Sequence, residues 1–371
     1  MRYPCKAWNR GNQKVRRKLW IVVFGMCAIV FLGYLGGCLL GNKSCVRQYT
    51  NLYEEWKEKY VVTVSDSVSR VSDPDQEGIT VSEGIGYGML FAVMYDDQPT
   101  FDALFAYAKK YENNHGFMHW KISKEGEVTG SGGAADAEED IAYSLFLAHK
   151  KWKGEVYLTE CLSRIGNLQT YMINKENRIL PGDEWGNTDS FNPSYVAPEY
   201  YLAFYEVTKD SKWLEILKEN VNYMQQSMNQ QTGLFPNWMN FETENHAIFG
   251  YESVRVPIRF YQFLKNRSNH MEDKQQDTYE AINVIAEKEA QFASRLSYDD
   301  FMAEYQLDGT NHKEYQSNAY LASGLAMLLA YGIEDRQWIT SLKNRESEGY
   351  YGDSLRLWCL SLYDNLDVIS N

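Results

Sequence analysis

An all-helical globular body behind a single membrane-crossing helix is what the sequence predicts, and three observations predict it. The first is the uncharged run Leu19–Leu40 (LWIVVFGMCAIVFLGYLGGCLL), long enough to span a bilayer as a helix. The second is a succession of later segments, roughly 10–20 residues each, whose apolar side chains recur at three- and four-residue steps. The third is that no period-two alternation runs long enough to build a sheet. Shared among twelve helices, the length beyond Cys45 allows about 27 residues for each helix and its loop, which fits a barrel of six helical hairpins.

Residues 1–18 carry Arg2, Lys6, Arg10, Lys14, Arg16, Arg17 and Lys18 and no acidic side chain. Such a basic tail stays in the cytoplasm, so residues 19–41 read as a signal anchor that leaves the body outside. Leu35-Gly36-Gly37-Cys38 also resembles a lipoprotein signal, in which Cys38 would be cleaved and lipidated. Leu39 and Leu40 continue the apolar run past that cut, which favours an uncleaved anchor. Either form tethers residues 46–371 to the outer face of a membrane.

Cys45–Tyr60 is amphipathic, with Leu52, Tyr53, Trp56 and Tyr60 on one side. Val61–Thr80 is polar and punctuated, an extended lead-in to the next segment. That segment, Val81–Met94 (VSEGIGYGMLFAVM), opens a helix with Ser82 or a neighbour as cap and Ile85, Met89, Leu90, Val93 and Met94 as core face. Gly84, Gly86 and Gly88 cost helix stability, so something is expected to approach this backbone closely, and a sugar ring suits that role. Further helical patterns cover Phe101–Tyr111, Glu139–Trp152, Val156–Ile173, Pro198–Val207, Lys212–Met228, Val256–Lys265, Asp277–Leu296, Asn318–Tyr331 and Asp353–Tyr363. Between them, Gly130–Gly133, Pro181–Pro193 and Thr232–Trp238 are loops rich in Gly, Pro, Asn and Asp.

The whole chain has a net charge of −13, and without its basic tail the body is more acidic still. That balance argues against nucleic acid or anionic lipid as a partner of the main surface and favours a neutral or cationic polymer. With 28 Tyr, 16 Phe and 10 Trp, the chain is rich in rings that stack on sugars, although a large helical core uses them equally well. Of six cysteines only Cys161 and Cys359 lie in the body, and no CxxC occurs, so buried unpaired thiols are expected. His115 and His119 are four apart, but Gly116 intervenes and no HExxH accompanies them, so no metal site is expected. The Gly-x-Gly repeats at 84–88 lack a nucleotide-fold context, and neither a P-loop nor a G-x-S-x-G is present.

Glu83 is the candidate for chemistry. A helix N-terminus favours its ionised form, whereas a general acid must keep its proton near neutral pH. Burial against Tyr87, or a second carboxylate nearby, would have to raise its pKa. A solvated Glu at a glycine-rich helix start is the plain alternative.

SEGIGYGM at 82–89, GFMHWKI at 116–122 and AADAEEDIAYSLFLAHKKW at 134–152 together resemble glycoside hydrolase family 8. LPGDEWG at 180–186, NPSYVAPEYY at 192–201, TGLFPNW at 232–238, GYESVRVPIR at 250–259 and YYGDSLRLWCLSLY at 350–363 continue the resemblance in order, from about Gln48 to Asn365. It implies an (α/α)6 barrel, hydrolysis of β-1,4-linked polysaccharide with inversion, and no metal or organic cofactor. Inversion needs a protonated carboxyl for the leaving oxygen and an ionised one for water, ~6.5–9.5 Å apart. By position Glu83 matches the family's proton donor, and Asp136 the aspartate that binds and distorts the sugar. Glu252 stands where the family has its base aspartate, and the extra methylene would move the carboxylate unless the backbone compensates. Asp183, Glu184 and Asp189 are alternative bases. Ala135 and Glu138 also depart from the family pattern, and Asp140, four residues after Asp136, shares its helix face.

Tyr87, Trp120, Trp185, Tyr195, Tyr251 and Tyr351 lie within the matched motifs and are candidate sugar-binding side chains, each weighed against a core aromatic. Arg255 is expected to pair with one of the acids or to brace the barrel wall. The expected function is an extracytoplasmic endo-acting hydrolase of cellulose or another secreted exopolysaccharide, beside a synthesis or export machinery. A catalytically weak polysaccharide-binding protein aiding export is the alternative from another class, and a lyase on the same fold is a third.

Overall fold

The computed structural model describes residues 49–185, 190–240, 247–267 and 275–364. The apolar run Leu19–Leu40, Cys38, the basic tail and Asp189 lie outside the described residues. The described residues from Leu52 onward form one compact unit. Among the described residues no helix is long and apolar enough to cross a membrane.

Twelve α-helices dominate the described residues, in two kinds. The first kind is buried almost all round: α2 (Ser82–Met94), α4 (Ala135–Trp152), α6 (Pro198–Thr208), α8 (Arg255–Arg267), α10 (Asn318–Ala330) and α12 (Tyr350–Tyr363). Each packs against the next, and α12 returns to α2, so these six close an inner ring. The second kind carries one apolar stripe, as α7 (Lys212–Met224) does with Trp213, Ile216, Leu217, Val221 and Met224. With α1 (Thr50–Tyr60), α3 (Gln98–Lys110), α5 (Glu155–Tyr171), α9 (Gln276–Ala293) and α11 (Arg336–Lys343), it forms an outer layer. Trp56 of α1 seals the α2–α12 joint, donating to Ser354 Oγ at 2.9 Å and meeting Phe91 edge-on. Two concentric layers of six helices fit the (α/α)6 barrel.

The glycines of α2 serve this packing. A Cβ on Gly86 would lie 2.8 Å from the Cβ of Asp140 on α4, and one on Gly88 would lie 2.7 Å from Leu104 of α3. Neighbouring helices, and not a sugar, are what approach this backbone. Ser82 is the first residue of α2 and no side chain caps the helix, contrary to the expected cap. The segment Val61–Thr80 contains a hairpin, β1 (Val61–Ser65) against β2 (Val68–Val71), which the search for long alternating runs passes over. α11, with buried Trp338, Ile339 and Leu342 on only two turns, is likewise additional to the expected helices.

Short strands collect where the inner helices begin. β3 (Thr80–Val81) runs directly into α2 and pairs with β4 (Lys121–Ile122), which pairs with β5 (Val128–Gly130) ahead of α4. β6 (Ile248–Phe249) precedes α8 and pairs with β7 (Tyr305–Gln306), which precedes α10. Cys161 and Cys359 are free and buried.

Candidate active site

The N-terminal ends of the inner helices surround a cleft of about 760 Å³. Four of its side chains are the second residue of α2 (Glu83), the second of α4 (Asp136), Glu252 in the turn before α8, and Arg255 at the start of α8. In the cyclic order of the ring α2 and α8 stand opposite each other. Glu83 and Glu252 therefore enter the cleft from opposing walls.

Arg255 joins all three acids. Its Nη1 donates to Glu83 Oε2 at 2.7 Å and to Asp136 Oδ2 at 2.6 Å, and its Nη2 donates to Glu252 Oε2. Because one planar guanidinium spans Glu83 and Glu252, their bonded oxygens lie within about 8 Å of each other. Arg255 is only 2% exposed and lies over the Tyr195 ring. Asn192 Nδ2 adds a bond of 3.0 Å to Glu252 Oε2, and Tyr350 donates to Glu83 Oε1 at 3.2 Å. The turn carrying Glu252 is pinned from below, since the N–H groups of Gly250, Glu252 and Ser253 all donate to Asn237 Oδ1 at 3.1 Å.

Burial pushes the Glu83 carboxyl up to about 8; the Arg255 charge opposes this, and those of Asp136 and Glu252 add to it. A carboxyl in this state holds its proton at neutral pH although it stands at a helix start. One turn deeper, Asp140 faces Arg259 at 3.3 Å, and Tyr201 donates to Glu139 at 2.8 Å. Asp140 thus lies behind Asp136 and does not line the cleft.

Trp120, Trp185, Tyr195, Tyr251 and Tyr351 all line the cleft, as their motifs suggested. Trp120 lies flat against Gly130, where a Cβ would come within 2.4 Å of the indole. Tyr87 does not line it. That ring is wholly buried against Phe91 and Trp358, and the tyrosine that touches Glu83 is Tyr350. Asp73, Gln76, Trp238 and Tyr350 also line the cleft and escaped the sequence reading. Tyr350 and Trp238 fall inside matched motifs, so a signal existed for them. Asp73 caps and Gln76 ends a single 3-10 turn, Pro74–Gln76, too short to show a period, and Asp73 accepts from Gln76 Nε2 at 2.8 Å.

Of the alternative bases, Asp183 has a fully buried carboxylate tied to Asn113 Nδ2, His115 Nδ1 and the Gly133 N–H, each at 2.7 Å. Neither it nor the exposed Glu184 lines the cleft. His115, Asp183 and Glu184 bring one potential ligand atom each within 4.8 Å of one another. Both Asp183 oxygens already hold loop donors, so this cluster reads as a loop brace. His119 turns away from it, and its Nδ1 accepts the Gly132 N–H at 3.1 Å.

The family model described as Glycosyl hydrolases family 8 matches residues 29–365. Endoglucanase 2 of Ruminiclostridium josui is 30% identical over 339 residues, covering 87% of this chain and 72% of that protein. Endoglucanase A of Acetivibrio thermocellus is 30% identical over 321 residues, with 83% and 67% covered. Among solved structures, the apo β-1,3-1,4-glucanase of Paenibacillus sp. X4 superposes with a TM-score of 0.73 at 23% identity, covering 86% of this chain and 91% of that one.

Proposed function

Because the chain belongs to glycosyl hydrolases family 8 and is a glycosidase, we propose that it cuts a β-1,4-linked glucan within the chain, with Glu83 as acid and Glu252 as base. The observation that carries this reading is a half-buried, proton-holding carboxyl and a second carboxylate on opposing walls of one cleft lined by Trp and Tyr rings. Glu83 gives its proton to the glycosidic oxygen as the bond to the anomeric carbon breaks. Glu252 takes a proton from water, whose oxygen bonds to that carbon from the other side, so the configuration inverts. Both carboxyls end in the opposite protonation state and exchange protons with solvent before the next turnover.

Arg255 and Asn192 hold the Glu252 carboxylate in position, and the pinned turn at 250–253 supplies a fixed backbone for the longer side chain. Asp136, buried and bonded to the same guanidinium, binds a sugar hydroxyl at the cleavage point. Residues 1–18 are the cytoplasmic tail, 19–41 the anchor and 46–371 the catalytic domain, held outside the membrane. Work on a polymer emerging from the cell, cellulose or another exopolysaccharide beside its export machinery, follows from that tether.

Reducing-end release from cellulose, lichenan, xylan and chitosan tests the reading, with NMR of the anomeric proton following the first product. Glu83→Gln and Glu252→Gln should each lower kcat about 10²–10⁴-fold, and the fresh product should be the α-anomer. Undiminished activity in either variant removes that residue from its role, and binding without turnover on every polymer points to a carrier of polysaccharide.

A further inference from the structure

Tyr315 belongs to no motif that the catalytic reading uses. It lies three residues ahead of α10, with its ring 46% exposed. Its hydroxyl meets that of Tyr251 at 3.3 Å, and among the described residues its ring stacks on no other aromatic. Tyr251, itself 40% exposed, is a wall of the cleft. The wall is braced from behind: buried Tyr320 of α10 meets Tyr251 edge-on at 5.0 Å, and Tyr351 donates to the Tyr251 carbonyl. The Tyr315 main chain is fixed as well, its carbonyl accepting the Ala303 N–H at 2.7 Å. A fixed tyrosine with an exposed ring beside the cleft wall presents a face on which a sugar can stack.

The ring topology gives the direction of that surface. With inner helices in the order α2, α4, α6, α8, α10, α12, the segment before α10 stands opposite the segment before α4, which carries Trp120. Trp120, 37% exposed, and Tyr315 thus stand on opposite sides of the ring: the Trp120 carbonyl accepts the Ser82 N–H next to Glu83, and Tyr315 meets Tyr251 next to Glu252.

We propose that Tyr315, with Tyr251, forms a sugar-stacking platform at the α10 rim, beyond the cleft proper, which holds a distal glycosyl residue of a long β-1,4-linked chain. The proposal rests on the hydrolase reading for the identity of the guest. A polymer that stacks on Trp120 at one rim and Tyr315 at the other passes over the acids with sugar residues on both sides, so internal bonds are the ones cut. A platform of two tyrosine rings also tolerates a β-1,4 chain of varied decoration, because stacking reads the ring face and not its substituents.

The test is isothermal titration of the detergent-solubilised full chain carrying Glu83→Gln, so that oligosaccharides bind without being cut. Cello- and xylo-oligosaccharides from the disaccharide to the octasaccharide are the probes. Affinity should climb with length, and adding Tyr315→Ala should remove the last step of the climb, about tenfold for the longest probe, with the disaccharide changed less than twofold. Tyr315→Phe should restore the step, since the ring is kept. Equal weakening at every length, or none at any, overturns the platform. Should the chain without the Glu83 change cut nothing, the hydrolase reading falls, and the length dependence still decides the role of Tyr315. Failure of every probe to bind overturns both.

Discussion

Glu83 works only if its proton survives the pull of a helix N-terminus, and the balance of its surroundings makes a definite pH prediction. Burial dominates and raises the carboxyl to about 8, with Asp136 and Glu252 adding to the rise. The acid form is therefore present below about pH 8 and lost above it, so kcat should fall along its basic limb there. Replacing Asp136 by Asn removes a negative charge that favours the protonated form. The basic limb of Asp136→Asn should move to lower pH, in addition to any loss of sugar binding, and a pH profile of kcat at saturating substrate reads it. An unmoved limb would mean that Glu83 does not set it. The four charged residues of the site were legible because each lies at, or in the turn just before, the start of a helix inside an ordered motif. Tyr87 misled because it is one turn along from Glu83 on the same helix. Spacing places two residues on one face but does not say which turn is at the mouth and which is inside against Trp358.

At the scale of elements, α2 and α4 approach so closely that Gly86 has no room for a side chain. Its added Cβ would lie 2.8 Å from the Asp140 Cβ and 3.3 Å from the Ala137 carbonyl. The second contact is with backbone and cannot rotate away. Gly86→Ala should cost about 1–3 kcal/mol in chemical unfolding, more than the helix propensity it gains. A second test concerns α9, where both carboxylate oxygens of Glu289 are buried without a hydrogen-bond partner among the described residues. Burial alone pushes this carboxyl well above its usual value of 4.5. The folded state binds the proton more tightly than the unfolded one. Stability linked to Glu289 is thus complete below about pH 4.5 and is lost as pH rises towards the folded value, by about 1.4 kcal/mol per pH unit. Glu289→Gln cannot titrate, so its stability relative to the unaltered chain should grow by that slope between pH 5 and 7. Parallel pH–stability curves would refute it. Nothing in the sequence marks Glu289, since an acid on an amphipathic helix is normally solvated. α11 and the β1–β2 hairpin were equally hidden, because two helical turns or four paired residues give too few repeats to establish a period.

The whole molecule turns twelve local patterns into one site through closure of the inner ring. Glu83 and Glu252 are far apart in the chain, and only the cyclic order α2 to α12 sets them on opposing walls. The number and length of the helical segments fit a double layer and the family resemblance implied one, but which helices are inner was hidden, since α8 buries Arg255, Arg259 and Gln262 among its apolar residues. The path of the cleft was not legible, since it follows from which helices are diametrically opposed and not from any one segment. On the proposed reading the basic tail holds the N-terminus inside, and the uncharged run Leu19–Leu40 is the membrane anchor. Expressed in its cell, the full chain should sediment with membranes and remain there after alkaline carbonate washing. Protease added to intact protoplasts should remove the catalytic unit and leave the tail protected. A chain beginning at Val46 should stay in the soluble fraction and keep its kcat, because the described residues from Leu52 onward pack as one unit. Replacing Cys38 by Ser separates the two tethers. An uncleaved anchor leaves the apparent mass and membrane association of Cys38→Ser unchanged, whereas a lipidated terminus would lose both its processing and its acyl label.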